Sequence, residues 1–173
     1  MRLYLRIITF IILCLTFIGC NYKAKREAEI KRYLDEQNFT VVTPNNWRAV
    51  LEHGQVSYTP INKGGEIMHC LVRVVNFKSE ETKNFKEFAL TRINHIKDIR
   101  LTSNETITKQ NLEFGEVYIH DYHFNWINKV YSVFTMYFQK DKHYYKYEYF
   151  TQTKLYETHL SNANSILNSF KLK

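Results

Sequence analysis

Three stretches set the architecture of this chain: EVYIHDYHFNWI (116–127), KVYSVFTMYFQ (129–139) and HYYKYEYFT (143–151). Each is dense in β-branched and aromatic residues and alternates along its length, the period-two pattern of a strand with two distinct faces. Tyr118, Tyr122, Phe124 and Trp126 share a side of the first, and Tyr145, Tyr147 and Tyr149 share a side of the third. The gaps between them, at Asn128-Lys129 and Lys140-Asp141-Lys142, are short enough for tight turns. Strands joined this way must pair antiparallel, so residues 116–151 read as a meander.

Working outward, the N-terminal side first gives a strand of modest quality over Glu105–Phe114, punctuated by Gly115. Before it the period changes. Phe85, Phe88, Ala89, Ile93, Ile96 and Ile99 fall on one helical face, with Asn84 or Thr82 available as the cap. Further upstream, Gln55–Thr59 and Glu66–Phe77 read as a hairpin around Pro60 and the Gly64-Gly65 turn. Phe39–Pro44 is a β-branched strand halted by proline, and Asn45-Asn46-Trp47 is a turn that delivers an indole to the core. On the C-terminal side, Tyr156, Leu160, Ala163, Ile166, Leu167 and Phe170 line a second amphipathic helix. A meander with two amphipathic helices is an α+β arrangement, an antiparallel β-sheet with helices packed on it, because each helical stripe needs a sheet face to cover it.

The first 19 residues have a different chemistry. Arg2 and Arg6 precede an unbroken apolar run, Ile7 to Ile18, then Gly19 and Cys20. A helix of that run is roughly 18 Å long against about 30 Å of hydrocarbon, short for a span and suited to a secretory signal. Phe17-Ile18-Gly19-Cys20 resembles the lipobox of bacterial lipoproteins, although Phe17 stands where Leu is usual. The resemblance implies cleavage before Cys20 and lipid on its sulfur, with the rest of the chain held at a bacterial membrane and facing the periplasm or exterior. The rival reading is an uncleaved N-terminal anchor with Cys20 an incidental thiol. The organisation expected is therefore a signal peptide over 1–19, lipidated Cys20 with a charged tether over 20–37, and one domain over 38–173. The tether reads as a short helix, its weak apolar stripe running through Ala24, Ala28, Ile30, Tyr33 and Leu34.

The chain has 173 residues, 45% of them hydrophobic, and a net charge of +7, which supports one domain with a real core. Of three cysteines, Cys14 lies in the apolar run and Cys20 is the lipid candidate. Cys70, in the apolar run Ile67 to Val72, reads as a buried small hydrophobe, and no disulfide can form within the mature lipoprotein.

The region Phe39 to Leu172 resembles the PsbP-like family, which includes DcrB-like envelope lipoproteins. The likeness rests on the strand-Pro-x-x-Trp pattern of Thr43-Pro44-Asn45-Asn46-Trp47, a helix after the second hairpin, three long consecutive strands and a last helix ending in Ser169-Phe170. It implies a PsbP-like α/β/α sandwich and a binding or assembly module with no shared catalytic residues. The tyrosine load of the meander goes beyond what the resemblance requires.

For sites, His120-Asp121-Tyr122-His123 is the best metal candidate, yet strand residues three apart point to opposite faces, so no metal is expected there. The tyrosines, interleaved with lysines, could form a face for a protein or glycan partner of the envelope; Tyr122, His123, Tyr137 and Tyr147 are the candidate binding residues. No nucleic acid is expected for an exported protein, and no cofactor. No motif of nucleophilic, zinc or phosphate chemistry occurs. The function expected is a non-enzymatic, membrane-anchored binding or assembly factor. The alternatives are an enzyme with a pocket on the tyrosine-rich sheet around His120 and His123, or a structural accessory subunit of an envelope complex.

Overall fold

The structure, a computed structural model, describes residues 22–52, 54–61, 70–77, 84–112 and 115–173. The signal peptide, Cys14, Cys20, Thr82, the Gly64-Gly65 turn and the first residues of the strand expected from Glu66 lie outside the described residues. The chain divides into two compact units, Met1–Gln37 and Asn38–Lys173. In the first, a helix (α1) runs over 22–36. Lys23 lies 3.9 Å from Glu27 and Arg32 lies 4.0 Å from Glu36, both pairs exposed and one turn apart. Such pairs add only a few tenths of a kcal/mol, about 0.3 each.

The second unit is built on a seven-stranded antiparallel sheet. Its strands are β2 (Trp47–Glu52), β3 (Gln55–Pro60), β4 (Cys70–Phe77), β5 (Thr102–Leu112), β6 (Gly115–Trp126), β7 (Lys129–Lys140) and β8 (His143–Gln152), in the order β2-β3-β4-β8-β7-β6-β5. The meander forms as its alternation predicts, with Tyr122 opposite Val133 and Met136 opposite Tyr147. Its two turns are two-residue loops whose central residues all have positive φ: Ile127 (47°) and Asn128 (58°), then Asp141 (48°) and Lys142 (65°). This geometry matches the twist of the flanking strands.

The helix α2 (Phe85–Ile99) is capped by Asn84, whose Oδ1 accepts the Lys86 N–H at 2.9 Å. It buries Phe85, Phe88, Ala89 and Ile93 against Tyr118, Tyr137 and Tyr144. The helix α3 (Tyr156–Asn168) covers the opposite face. There Tyr147 donates its hydroxyl to the Ala163 carbonyl at 2.8 Å, and Tyr149 donates to that of Tyr156 at 2.7 Å. The result is an α/β/α sandwich, and the side-sharing read from the tyrosine alternation holds: the Tyr118 set faces α2 and the Tyr145 set faces α3.

Several boundaries differ from the sequence reading. The first meander turn is Ile127-Asn128 rather than Asn128-Lys129, because Trp126 pairs with Lys129 and leaves Ile127 outside the strand read over 116–127. Only Phe39–Thr40 of the opening segment is a strand (β1), and it leaves the main sheet to pair with Lys171–Leu172 (β9). Two-residue strands carry no readable period, so β9 was invisible in the sequence and β1 overextended. Asn45 and Asn46 do turn, with the Trp47 N–H on the Pro44 carbonyl at 2.9 Å, and Trp47 is buried. But Trp47 opens strand β2, whose Arg-Ala-Val-Leu-Glu composition favours helix until pairing with β3 overrides it. Lastly, β5 begins at Thr102 and carries a bulge between Ser103 and Thr106, where Asn104 takes φ 49°.

Candidate functional site

On the α2 side of the sheet, the alternation that buries Tyr144 and tucks in Phe150 also points Lys146 and Glu148 of β8 inward. Register sets Arg73 of β4 opposite Glu148. The Glu148 carboxylate accepts from Lys146 Nζ at 2.9 Å and lies 3.8 Å from Arg73 Nη1. Arg73 in turn donates from Nε to Ser57 Oγ at 3.1 Å. Arg100, just past α2, lays its guanidinium 4.4 Å from the centre of the Phe124 ring and adds positive charge near Glu148 and Tyr122. Burial alone would push the Glu148 carboxyl up. Lys146, then Arg73 and Arg100, more than reverse this and hold it below its ordinary range.

Beside this cluster, His120 is fully buried, its ring stacked 4.5 Å from that of Tyr122. His120 Nε2 lies 2.7 Å from Glu105 Oε1, and Lys97 Nζ reaches the same oxygen at 3.4 Å. Burial lowers the imidazole pKa more than the carboxylate raises it, so the ring is neutral and donates Nε2–H to Glu105. A histidine with a depressed folded pKa binds its proton more readily when unfolded. Its contribution to stability is complete above the ordinary value of 6.5 and is lost as pH falls below it. The urea midpoint is therefore expected to drop between pH 7.5 and 5.5, and His120→Gln to flatten that slope; an unchanged slope in the variant would refute the assignment.

The four tyrosine and histidine candidates do not form one surface. Tyr122 and Tyr137 face α2, while His123 and Tyr147 face the other side. Tyr122, Tyr137 and Tyr147 are at most 2% exposed. Burial pushes the Tyr122 hydroxyl up to about 12 and those of Tyr137 and Tyr147 higher, so none supplies a phenolate at neutral pH. His123 Nδ1 sits 3.2 Å from the Asn104 amide, away from His120, and among the described residues no metal-binding group of His, Cys, Asp and Glu assembles. Cys70 is buried, with its thiol pushed up to about 12 by burial, as a small hydrophobe should be. A shallow open depression along α3, bordered by Glu157, Ser161 and Asn164, brings no titratable groups together. The ionic cluster can hold charge in a fixed place; it sets no nucleophile beside a base. Sequence reading missed it, although Lys146 and Glu148 alternating with buried tyrosines were a legible signal of charge facing inward.

No protein-family model matches the sequence, and no curated protein matches it. Solved structures do. LpqN, involved in cell envelope biogenesis of Mycobacterium tuberculosis, superposes with a TM-score of 0.58 at 9% identity, covering 78% of this chain and 83% of that one. The cyanobacterial PsbP (CyanoP) of Synechocystis sp. PCC 6803 superposes with a TM-score of 0.56 at 11% identity, covering 79% and 87%. The fold is PsbP-like. Within the PsbP-like domain, the residues that suggested the resemblance have structural jobs. Pro44 and Trp47 close the turn into β2, and Phe170 packs on Phe39, Phe138 and Tyr145 at 5.2–5.3 Å.

Proposed function

We propose that this protein is a cell-envelope lipoprotein acting without catalysis, as a binding or assembly factor for an envelope protein or glycan. The observation that carries the reading is a PsbP-like domain over 38–173 behind a signal-like segment that ends at Gly19-Cys20. The fold likeness to LpqN, a protein of envelope biogenesis, supports the location. The ionisable groups of the sheet centre support the absence of catalysis, since they hold one another and the buried tyrosines stay protonated. Two or three acyl chains on Cys20 would make release negligible, given about 0.8 kcal/mol per buried methylene. Cys20→Ala is expected to accumulate an unprocessed precursor that incorporates no labelled palmitate. Crosslinking from membranes should capture envelope neighbours with the wild-type chain and lose them with the variant. Equal palmitate labelling of the variant would refute lipidation at Cys20.

A further inference from the structure

Among the described residues, five of the nine large apolar side chains left exposed in the domain lie at the end of α2 and around the β6–β7 turn, the others (Val42, Ile61, Ile107 and Leu112) being scattered elsewhere. Leu101 is 97% exposed, Ile127 73%, Ile99 58%, Trp126 52% and Val130 47%. Pairing explains the cluster: Thr102 sits opposite Phe124, Asn125 opposite Val130 and Trp126 opposite Lys129, so the end of α2 and the β6–β7 turn meet. The turn itself is costly to make. Ile127, a β-branched residue, is held at φ 47°, where asparagine or glycine would be relaxed. The fold thus accepts strain to place an isoleucine at a water-facing apex, the kind of outlier that marks function.

We infer that this corner is a bilayer-contacting wedge, in which Leu101, Trp126 and Ile127 enter the interfacial zone of an anionic lipid surface. A projecting two-residue turn can enter a bilayer, which needs no matching shape. The mixture is that of membrane interfaces: an amphipathic indole, aliphatic side chains and two exposed basic residues, Arg100 next to Leu101 and Lys129 paired with Trp126. The inference rests on the reading that the chain lives at a membrane, but on a separate foothold. The chain enters the domain at the far end of the sheet, where Asn38 donates to the Tyr145 hydroxyl at 2.7 Å. Tyr145 pairs with Phe138, ten residues along β7 from the β6–β7 turn, roughly 30 Å away.

The test uses the full chain in phosphatidylcholine–phosphatidylglycerol vesicles with brominated acyl chains. Trp47 is buried and Trp126 half-exposed, so Trp126→Phe isolates the signal of the tip. Emission from Trp126 is expected to shift to the blue and fall by ~2-fold or more on brominated vesicles. Ile127→Asn should raise the melting temperature by about 2–4 °C through relief of strain while abolishing most of that quenching. Loss of quenching together with a lower melting temperature would instead mean damage to the fold, and Leu101→Asn, outside the turn, then decides. A chain that floats with the vesicles while Trp126 stays unquenched and open to iodide overturns the wedge and leaves the lipid anchor standing. Failure to float overturns the anchor, and quenching on excess vesicles still judges the wedge.

Discussion

Replacing Tyr145 by alanine is expected to cost about 3–5 kcal/mol and to lower the melting temperature by roughly 10–20 °C. Tyr145 is wholly buried where the small β1–β9 sheet meets the large one. Its ring stacks on Phe138 at 5.2 Å and meets Phe170 edge-on at the same distance and Phe39 at 6.0 Å. Its hydroxyl accepts from Asn38 Nδ2, and Asn38 Oδ1 accepts from Asn76 Nδ2 at 2.6 Å. Alanine there deletes the shared member of three ring contacts and leaves Asn38 without its acceptor, so β1 and β9 should loosen together. Tyr145→Phe keeps the rings and removes only the hydroxyl, costing about 1 kcal/mol. Thermal melts followed by circular dichroism separate the two. A Tyr145→Ala domain melting within a few degrees of wild type, roughly 3 °C, would mean the small sheet contributes little.

The second large effect is at Glu148. Glu148→Ala leaves Lys146 and Arg73 facing each other in a poorly solvated part of the sheet, a loss of about 3 kcal/mol. Because the folded-state pKa of Glu148 is lowered, its contribution is fully present above the ordinary 4.5 and vanishes as pH falls through the folded value. Wild-type and variant stabilities should therefore differ most near neutral pH and converge in acid. Denaturant midpoints at pH 7 and pH 3 test this, and a gap that widened in acid would contradict an ionised Glu148.

How far the sequence reached follows from which interactions are local. The meander was legible because each strand carries its own period over ten or more residues and its turns are only two residues long. Helix α2 was legible down to the Asn84 cap. The pairing of β1 with β9 was not, since it joins residues more than 130 apart through strands two residues long. Strand β2 was not legible beyond Trp47, since Arg-Ala-Val-Leu-Glu carries no strand signal of its own and only pairing with β3 dictates extension. At the candidate sites, the tyrosines are the core, which is the simpler of the two readings their pattern allowed, cross-strand packing on a sheet covered on both faces, and not a face for a partner. The wedge was not legible, since the sequence reading keeps Ile127 in the strand and sets the turn one residue later, at Asn128-Lys129, whereas pairing of Trp126 with Lys129 puts Ile127 at the apex. Without knowing that Leu101 lay beside it, one turn residue could not stand for a surface.

Lipidation at Cys20 is tested most directly by the intact mass of the protein extracted from its native membrane. The expected species begins at Cys20 and is heavier than its amino acids by a diacylglyceryl group and, where N-acylation follows, one further acyl chain. A mass matching an intact Met1 chain with an unmodified Cys20 would contradict it.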